Sequence, residues 1–273
     1  MAYVGASKQQ LRDGYGTYSF LHGGMGYFAY AGEWFRGKMH GRGVFTMRDD
    51  GTYEGDFVDG EMDGMGLRKW PNGDSYSGQF RRGERHGEGV FLSPSTGERY
   101  DGHWESNQRS GHGELINRDK SVYTGAFERH KPHGIGKKVM STGEFYEGEW
   151  QLGCMTGKGV LCDPIGKVLY EGEWLDGERE GSGTGIIMDV RNLEEGDNGG
   201  ELWYEGMWHA NQPTECTTRL VVKLMQPKSS GVAGSEPNDQ EQGNMAEAEP
   251  QEDVLLDLPL TLTIENKQLP HLV

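Results

Sequence analysis

Several residue types in this chain could do chemistry, and their spacing decides whether they do. Glycines recur as G-x-G at Gly41/Gly43, Gly64/Gly66, Gly87/Gly89, Gly111/Gly113, Gly134/Gly136, Gly157/Gly159 and Gly181/Gly183. A phosphate loop needs such glycines ahead of a helix whose N-terminus faces the anion, and no helical pattern follows any of these pairs. Glu147 with Glu149, and Glu171 with Glu173, are carboxylates two residues apart, the residue type for acid–base work. They share one face of a strand and repeat with a structural period, so they read as a solvated acidic stripe. His130 and His133 are close, but no cysteine stands nearby to complete a zinc site, and they read as turn residues. Cys154, Cys162 and Cys216 form no C-x-x-C pair and are expected to be reduced thiols. Dinucleotide, P-loop, nucleophile-elbow and zincin signatures are all missing from the sequence. The expectation is no catalytic residue, no cofactor and no metal.

The glycines belong to a longer pattern. Y-x-G-x-[WF] begins at Tyr30, Tyr53, Tyr76, Tyr100, Tyr123, Tyr146, Tyr170 and Tyr204, at spacings of 23, 23, 24, 23, 23, 24 and 34. The aromatic four residues on is Trp34, Phe57, Phe80, Trp104, Phe127, Trp150, Trp174 and Trp208. Three residues later stands Gly37, Gly60, Gly83, Asn107, His130, Gly153, Gly177 or Asn211, and in all but the last copy the G-x-G follows. Alternation puts Tyr, Gly and Trp on one face of a strand. The Gly, Asn or His suits a backbone position with φ > 0 and so a tight turn. The G-x-G starts a second strand whose bare backbone leaves room for the rings. Each unit is therefore a β-hairpin. His130 is the poorest fit at its turn, which marks its repeat as the likeliest irregular hairpin. Asp50-Gly51, Asn72-Gly73, Thr96-Gly97, Thr142-Gly143, Ile165-Gly166 and Asn198-Gly199 are turn signals between units, and Asp119-Lys120 is the junction without glycine.

Composition agrees. With 45 Gly among 273 residues and 34% hydrophobic residues, the chain cannot build one thick core. Seven Trp, nine Phe and twelve Tyr are too many rings for a wholly disordered chain. A net charge of −16, from 43 acids against 27 bases, disfavours bulk nucleic-acid binding and leaves room for a local basic patch. Met1–Gly14 shows no secretory h-region, Ala2 excludes the myristoylation motif, and Val254–Ile264 is too short to span a membrane.

The pattern resembles the MORN repeat over about residues 14–211. That resemblance implies an all-β fold, an elongated open antiparallel meander of consecutive hairpins. It also implies a non-catalytic scaffold or adaptor, since MORN arrays recur in ciliary and flagellar proteins, cytoskeletal rings and junctional membrane proteins, and beside lipid-kinase or methyltransferase domains. The expected partners are ciliary or cytoskeletal proteins, and the expected location is cytoplasm, cilium or flagellum, or cytoskeleton. The alternatives are a peripheral membrane or phosphoinositide-binding module and a docking subunit for a separate enzyme. Strand edges offer a route to a homodimer.

The expected organisation is an N-terminal extension at 1–13, a partial repeat at 14–29 without its leading tyrosine, and the eight repeats, with an insertion at about 186–202. A capping segment follows at 212–226, then a disordered acidic linker at 227–253 with seven acids and one Lys. The apolar segment 254–273 either folds back or docks on a partner. Most Tyr and Trp rings are expected to pack as core, with the remainder lining a groove. The candidate partner-binding residues are Arg81, Arg82 and Arg85 on a basic turn edge with Arg36, Lys38, Arg42 and Arg109, and Glu147, Glu149, Glu171 and Glu173 on an acidic face. The basic edge would make at most a weak anionic-lipid contact.

Overall fold

The computed structural model describes residues 2–21, 27–189, 200–214 and 219–224. The chain divides into two compact units, Met1–Glu178 and Arg179–Val273. Every regular element among the described residues is a strand.

The first unit holds β1 (Ala2–Lys8), β2 (Leu11–Leu21), β3 (Tyr27–Phe35), β4 (Lys38–Thr46), β5 (Thr52–Val58), β6 (Glu61–Lys69), β7 (Ser75–Arg81) and β8 (Glu84–Ser93). It continues with β9 (Glu98–Glu105), β10 (Gln108–Ile116), β11 (Val122–Glu128), β12 (Lys131–Val139), β13 (Phe145–Gln151), β14 (Cys154–Cys162) and β15 (Val168–Leu175). Each strand pairs antiparallel with the next, giving the open meander. In the second unit β16 (Glu178–Asp189) pairs with β17 (Gly200–His209). The other edge of β17 takes β18 (Gln212–Pro213) and β19 (Arg219–Leu224). Residues 190–199, within the insertion, lie outside the described residues, as do Cys216, the linker 227–253 and the apolar segment 254–273.

Turn chemistry sets the hairpins. The two turn residues both take φ > 0, as at Arg36/Gly37 (49° and 83°) and Ser106/Asn107 (46° and 68°), which type I′ turns require and strand twist favours. Arg129/His130, at 47° and 72°, is no exception. The irregular hairpin expected at His130 is therefore not found: Glu128 faces Lys131 directly. The imidazole explains this, because its Nδ1 accepts the Arg109 N–H at 3.4 Å from the preceding repeat. Asn107 Oδ1 does the same for the Arg85 N–H at 3.0 Å.

One further reading is corrected. Residues 2–8 are not an extension but strand β1, paired with β2. Tyr3 is the leading tyrosine of the first unit, and its hydroxyl donates to the carbonyl three residues on at 2.6 Å, as the hydroxyl of Tyr30 does. Between repeats, the left-handed residue of the Asp50-Gly51 junction is Asp50, not Gly51, and Lys120 takes φ 70° at the junction without glycine. A side chain compensates at each: Asp49 Oδ1 accepts the Gly51 N–H at 3.0 Å, and Asp119 Oδ1 accepts the Ser121 N–H at 2.9 Å.

The core is a line of rings on bare backbone. Tyr53, Tyr76, Tyr100, Tyr146 and Tyr170 are fully buried. A Cβ on Gly78 would lie 2.5 Å from Gly89 Cα and 2.8 Å from the Tyr76 hydroxyl, so the glycine pair is required where the ring covers the sheet. Each tyrosine meets the aromatic of its own repeat and that of the next edge-to-face, with centroids 5.0–5.3 Å apart from Trp34 to Trp174. Such pairs are worth about 0.5–1.5 kcal/mol beyond burial. Tryptophan adds an anchor: Trp104 Nε1 donates to the Gly89 carbonyl at 2.9 Å, and Trp150 Nε1 to that of Gly136 at 3.0 Å. Tyr204 and Trp208 form the same pair in the second unit, at 5.3 Å.

Candidate functional site

With the repeat rings consumed as core, other positions on the ring-bearing face make up its accessible lining. Three positions contribute, at nine, fifteen and seventeen residues after each tyrosine. The first packs opposite the Trp or Phe, as the pairings Trp34↔Met39, Phe80↔Arg85 and Trp104↔Arg109 show. The second stands opposite the next tyrosine, as in Phe45↔Tyr53 and Arg68↔Tyr76. The third, two residues further along, is Met47 or Trp70, and in the Tyr76 repeat the buried Ser93.

The lining changes character along the first unit. Met39 and Phe45 line the Tyr30 repeat, whereas Arg68, Trp70, Arg85, Phe91 and Arg109 come together around the Tyr76 and Tyr100 repeats. The Arg85 guanidinium lies 4.3 Å from the Trp104 centroid, 5.7 Å from Phe91 and 5.9 Å from Trp70. That of Arg68 lies 4.9 Å from the same Trp70, and that of Arg109 lies 5.1 Å from Tyr100. These are cation–π distances. Arg109 is held by Glu98. Arg85 and Arg68 pair with no carboxylate among the described residues: Arg85 Nη2 donates to the Asn107 carbonyl at 2.9 Å instead. The Nε atoms of Arg68 and Arg109 are buried without a hydrogen-bond partner. Burial lowers the pKa of Arg85, Arg109 and Arg68 push it further down, and the Tyr76 phenol opposes them. Burial also lowers that of Arg68, with Asp49 pulling the other way. Both stay cationic at neutral pH, as partly desolvated charges that an anion would relieve.

The residues singled out from sequence do not form one patch. Arg85 lies on the ring-bearing face, Arg82 is in the turn, and Arg81 points to the opposite face, opposite Glu84 in the pairing. Of the wider basic edge, Lys38 pairs with Asp59 at 3.6 Å and Arg42 with Asp56 at 3.4 Å. Glu147, Glu149, Glu171 and Glu173 are exposed on the face away from the rings. Glu149 has a structural task there, since its Oε1 accepts the Lys158 N–H at 2.9 Å across a bulge. Asp56 does this for Met65 at 2.9 Å and Glu33 for Arg42 at 3.2 Å. Glu147 lies 3.7 Å from Lys137. Sequence reasoning missed Arg68, Trp70 and Phe91. Their signal was available: counting by twos from each G-x-G places all three on the ring-bearing face.

Among the described residues no group of three His, Cys, Asp or Glu side chains is arranged to hold a metal ion. Among the same residues no helix is long and apolar enough to cross a membrane. An antiparallel array of hairpins with one ring-packed face and a variable lining is a repeat-built binding module. The MORN repeat family matches residues 3–21, 30–52, 53–75, 76–97, 100–122, 123–145, 146–168 and 170–184, more than half of the chain. The chain belongs to that family, which is generally non-catalytic and provides protein- or membrane-binding modules.

Proposed function

We propose that this chain is a non-catalytic structural adaptor that holds other proteins on the ring-bearing face of its array, in a ciliary or flagellar axoneme or a related cytoskeletal assembly of the cytoplasm. One observation carries the binding role. The sheet's stability is vested in the Tyr, Trp and glycine positions, and the lining positions are left to vary from methionine to arginine. The ciliary setting rests on the recurrence of such arrays in ciliary proteins. Tagged protein in a ciliated cell is expected to stay with axonemes or other cytoskeleton after detergent. A diffuse signal that washes out entirely would overturn the setting, and the absence of any protein crosslinked to the array would overturn the adaptor.

Membrane binding is the rival. It is disfavoured by the net charge of −16 and by the neutralising ion pairs at Lys38 and Arg42. Co-sedimentation with anionic liposomes that is lost in Arg81→Glu/Arg82→Glu would favour the rival. Co-purification of a catalytic activity that the isolated chain lacks would make the adaptor an enzyme's docking subunit. A homodimer through strand edges belongs to the same proposal and is read by sedimentation equilibrium.

A further inference from the structure

We infer that Arg68 and Arg85, with Trp70 and Phe91 beside them, form a docking groove for an acidic, proline-rich segment of a partner protein in the polyproline II conformation. The inference rests on the binding role proposed above and names the chemistry of the partner.

Convergence is the first argument. Arg68 on β6 stands opposite Tyr76 and Arg85 on β8 opposite Phe80, so their backbones are offset along the strands. Both guanidiniums nevertheless reach the Trp70 ring, at 4.9 and 5.9 Å from its centroid. A polyproline II chain turns once in three residues, so a Glu-Pro-Pro segment presents its carboxylates along one side, toward two cations gathered on one ring.

Lining chemistry is the second argument. Half-buried Trp70 and Phe91 stand among the cations, and rings set in a groove are what polyproline II segments dock against. Charge is the third. Arg68 and Arg85 have no carboxylate partner among the described residues, and Arg68 Nε has no acceptor. The guanidiniums lie against rings, which orients their remaining N–H groups for a carboxylate. A bilayer surface fits less well, because it would meet the repulsion of the whole chain, whereas a narrow segment meets the local cations.

The test is fluorescence anisotropy of the full chain with a labelled Glu-Pro-Pro repeat peptide, with the Gln-Pro-Pro peptide and phosphatidylserine vesicles as separate arms. The substitution pair Arg68→Phe/Arg85→Met installs residues that other repeats carry at these positions, Phe45 and Met39, so the fold is expected to persist, as circular dichroism will show. The Glu-Pro-Pro peptide is expected to bind the natural chain, to weaken with added salt, and to lose about tenfold or more in affinity in the double variant. The Gln-Pro-Pro peptide is expected not to bind, and Arg81→Gln, on the other face, to bind like the natural chain. No binding to the natural chain, equal binding of the two peptides, or an unchanged double variant would overturn the groove. So would vesicle binding lost in the double variant without peptide binding, which would assign the cations to a membrane. Cellular proteins crosslinked to the array despite such a result would leave the adaptor role standing and remove only this inference.

Discussion

In the Tyr53 repeat, Met62 lies nine residues after the tyrosine, and its carbonyl accepts the N–H of Gly83 in the next turn at 2.8 Å. In the Tyr76 repeat Arg85 holds that place, and its carbonyl accepts the Asn107 N–H at 3.0 Å. The backbone link is the same, but the side chains differ. At this position methionine and glycine leave an apolar corner, whereas arginine lies on Trp104 and is clasped by Asn107 through its backbone N–H, Nε and Nη2. Arg109 with His130 in the first unit and Arg179 with Asn211 in the second repeat the N–H clasp. The hairpin constrains the turn residue to φ > 0 and leaves its partner nine residues after the preceding tyrosine free to change. That freedom is where a binding surface can be written without disturbing the sheet.

Removing what both repeats share should give the largest effect. Tyr76→Ala takes away a fully buried ring and is expected to destabilise by about 3–5 kcal/mol, measured by chemical denaturation. A loss under about 1 kcal/mol would mean the ring line is not the core.

Alkali should act on the same line more gradually. Burial pushes the Tyr30, Tyr76 and Tyr123 phenols up to about 12 from an ordinary 10.0. Tyr53, Tyr100 and Tyr146 are raised still further, again by burial first. The folded chain therefore holds these protons more tightly than the unfolded chain. Their stabilising effect is full below pH 10 and declines as pH rises through about 12. Phenolate absorbance should rise together with unfolding; independent titration of the phenols near pH 10 without unfolding would contradict it.

How much of this was legible in sequence differs by position. The meander was readable because Tyr, Gly, the aromatic and the turn residue each have one physical task, repeated without drift. The Tyr3 unit was missed because Ser7 stands where an aromatic is expected and Gln10 where glycine, asparagine or histidine is, although Gln9 and Gln10 still take φ 51° and 64°. His130 was misjudged because turn propensity was weighed without the Arg109 N–H that its ring accepts. The lining was harder still. Arg85 was grouped with Arg81 and Arg82 as one basic edge, although they are neighbours in sequence on different surfaces. Side-chain pairing across strands decides that, and a linear reading does not carry it.

Smaller substitutions sharpen the contrast between repeats. Trp104→Phe keeps a ring, as Phe80 does naturally, but loses the 2.9 Å bond to the Gly89 carbonyl. It is expected to cost about 1–2 kcal/mol in denaturation. No loss would show that the anchor is redundant. The smallest stability effect is expected when Arg85→Met and Asn107→Gly together convert the Tyr76 lining to the Tyr53 type. The thermal midpoint should move by a few degrees at most, within about 1 kcal/mol, while binding of the acidic peptide is lost. A large loss of stability would make Arg85 a structural residue.

The most direct test of the central claim, that the ring-bearing face carries the partner, is photocrosslinking in a ciliated cell. A photoreactive residue replaces Phe91, on that face, or Met65, which is 51% exposed on the other. Discrete protein adducts from position 91, weakened by Arg68→Phe/Arg85→Met and absent from position 65, are the predicted result. Adducts from position 65 with none from position 91 would contradict it.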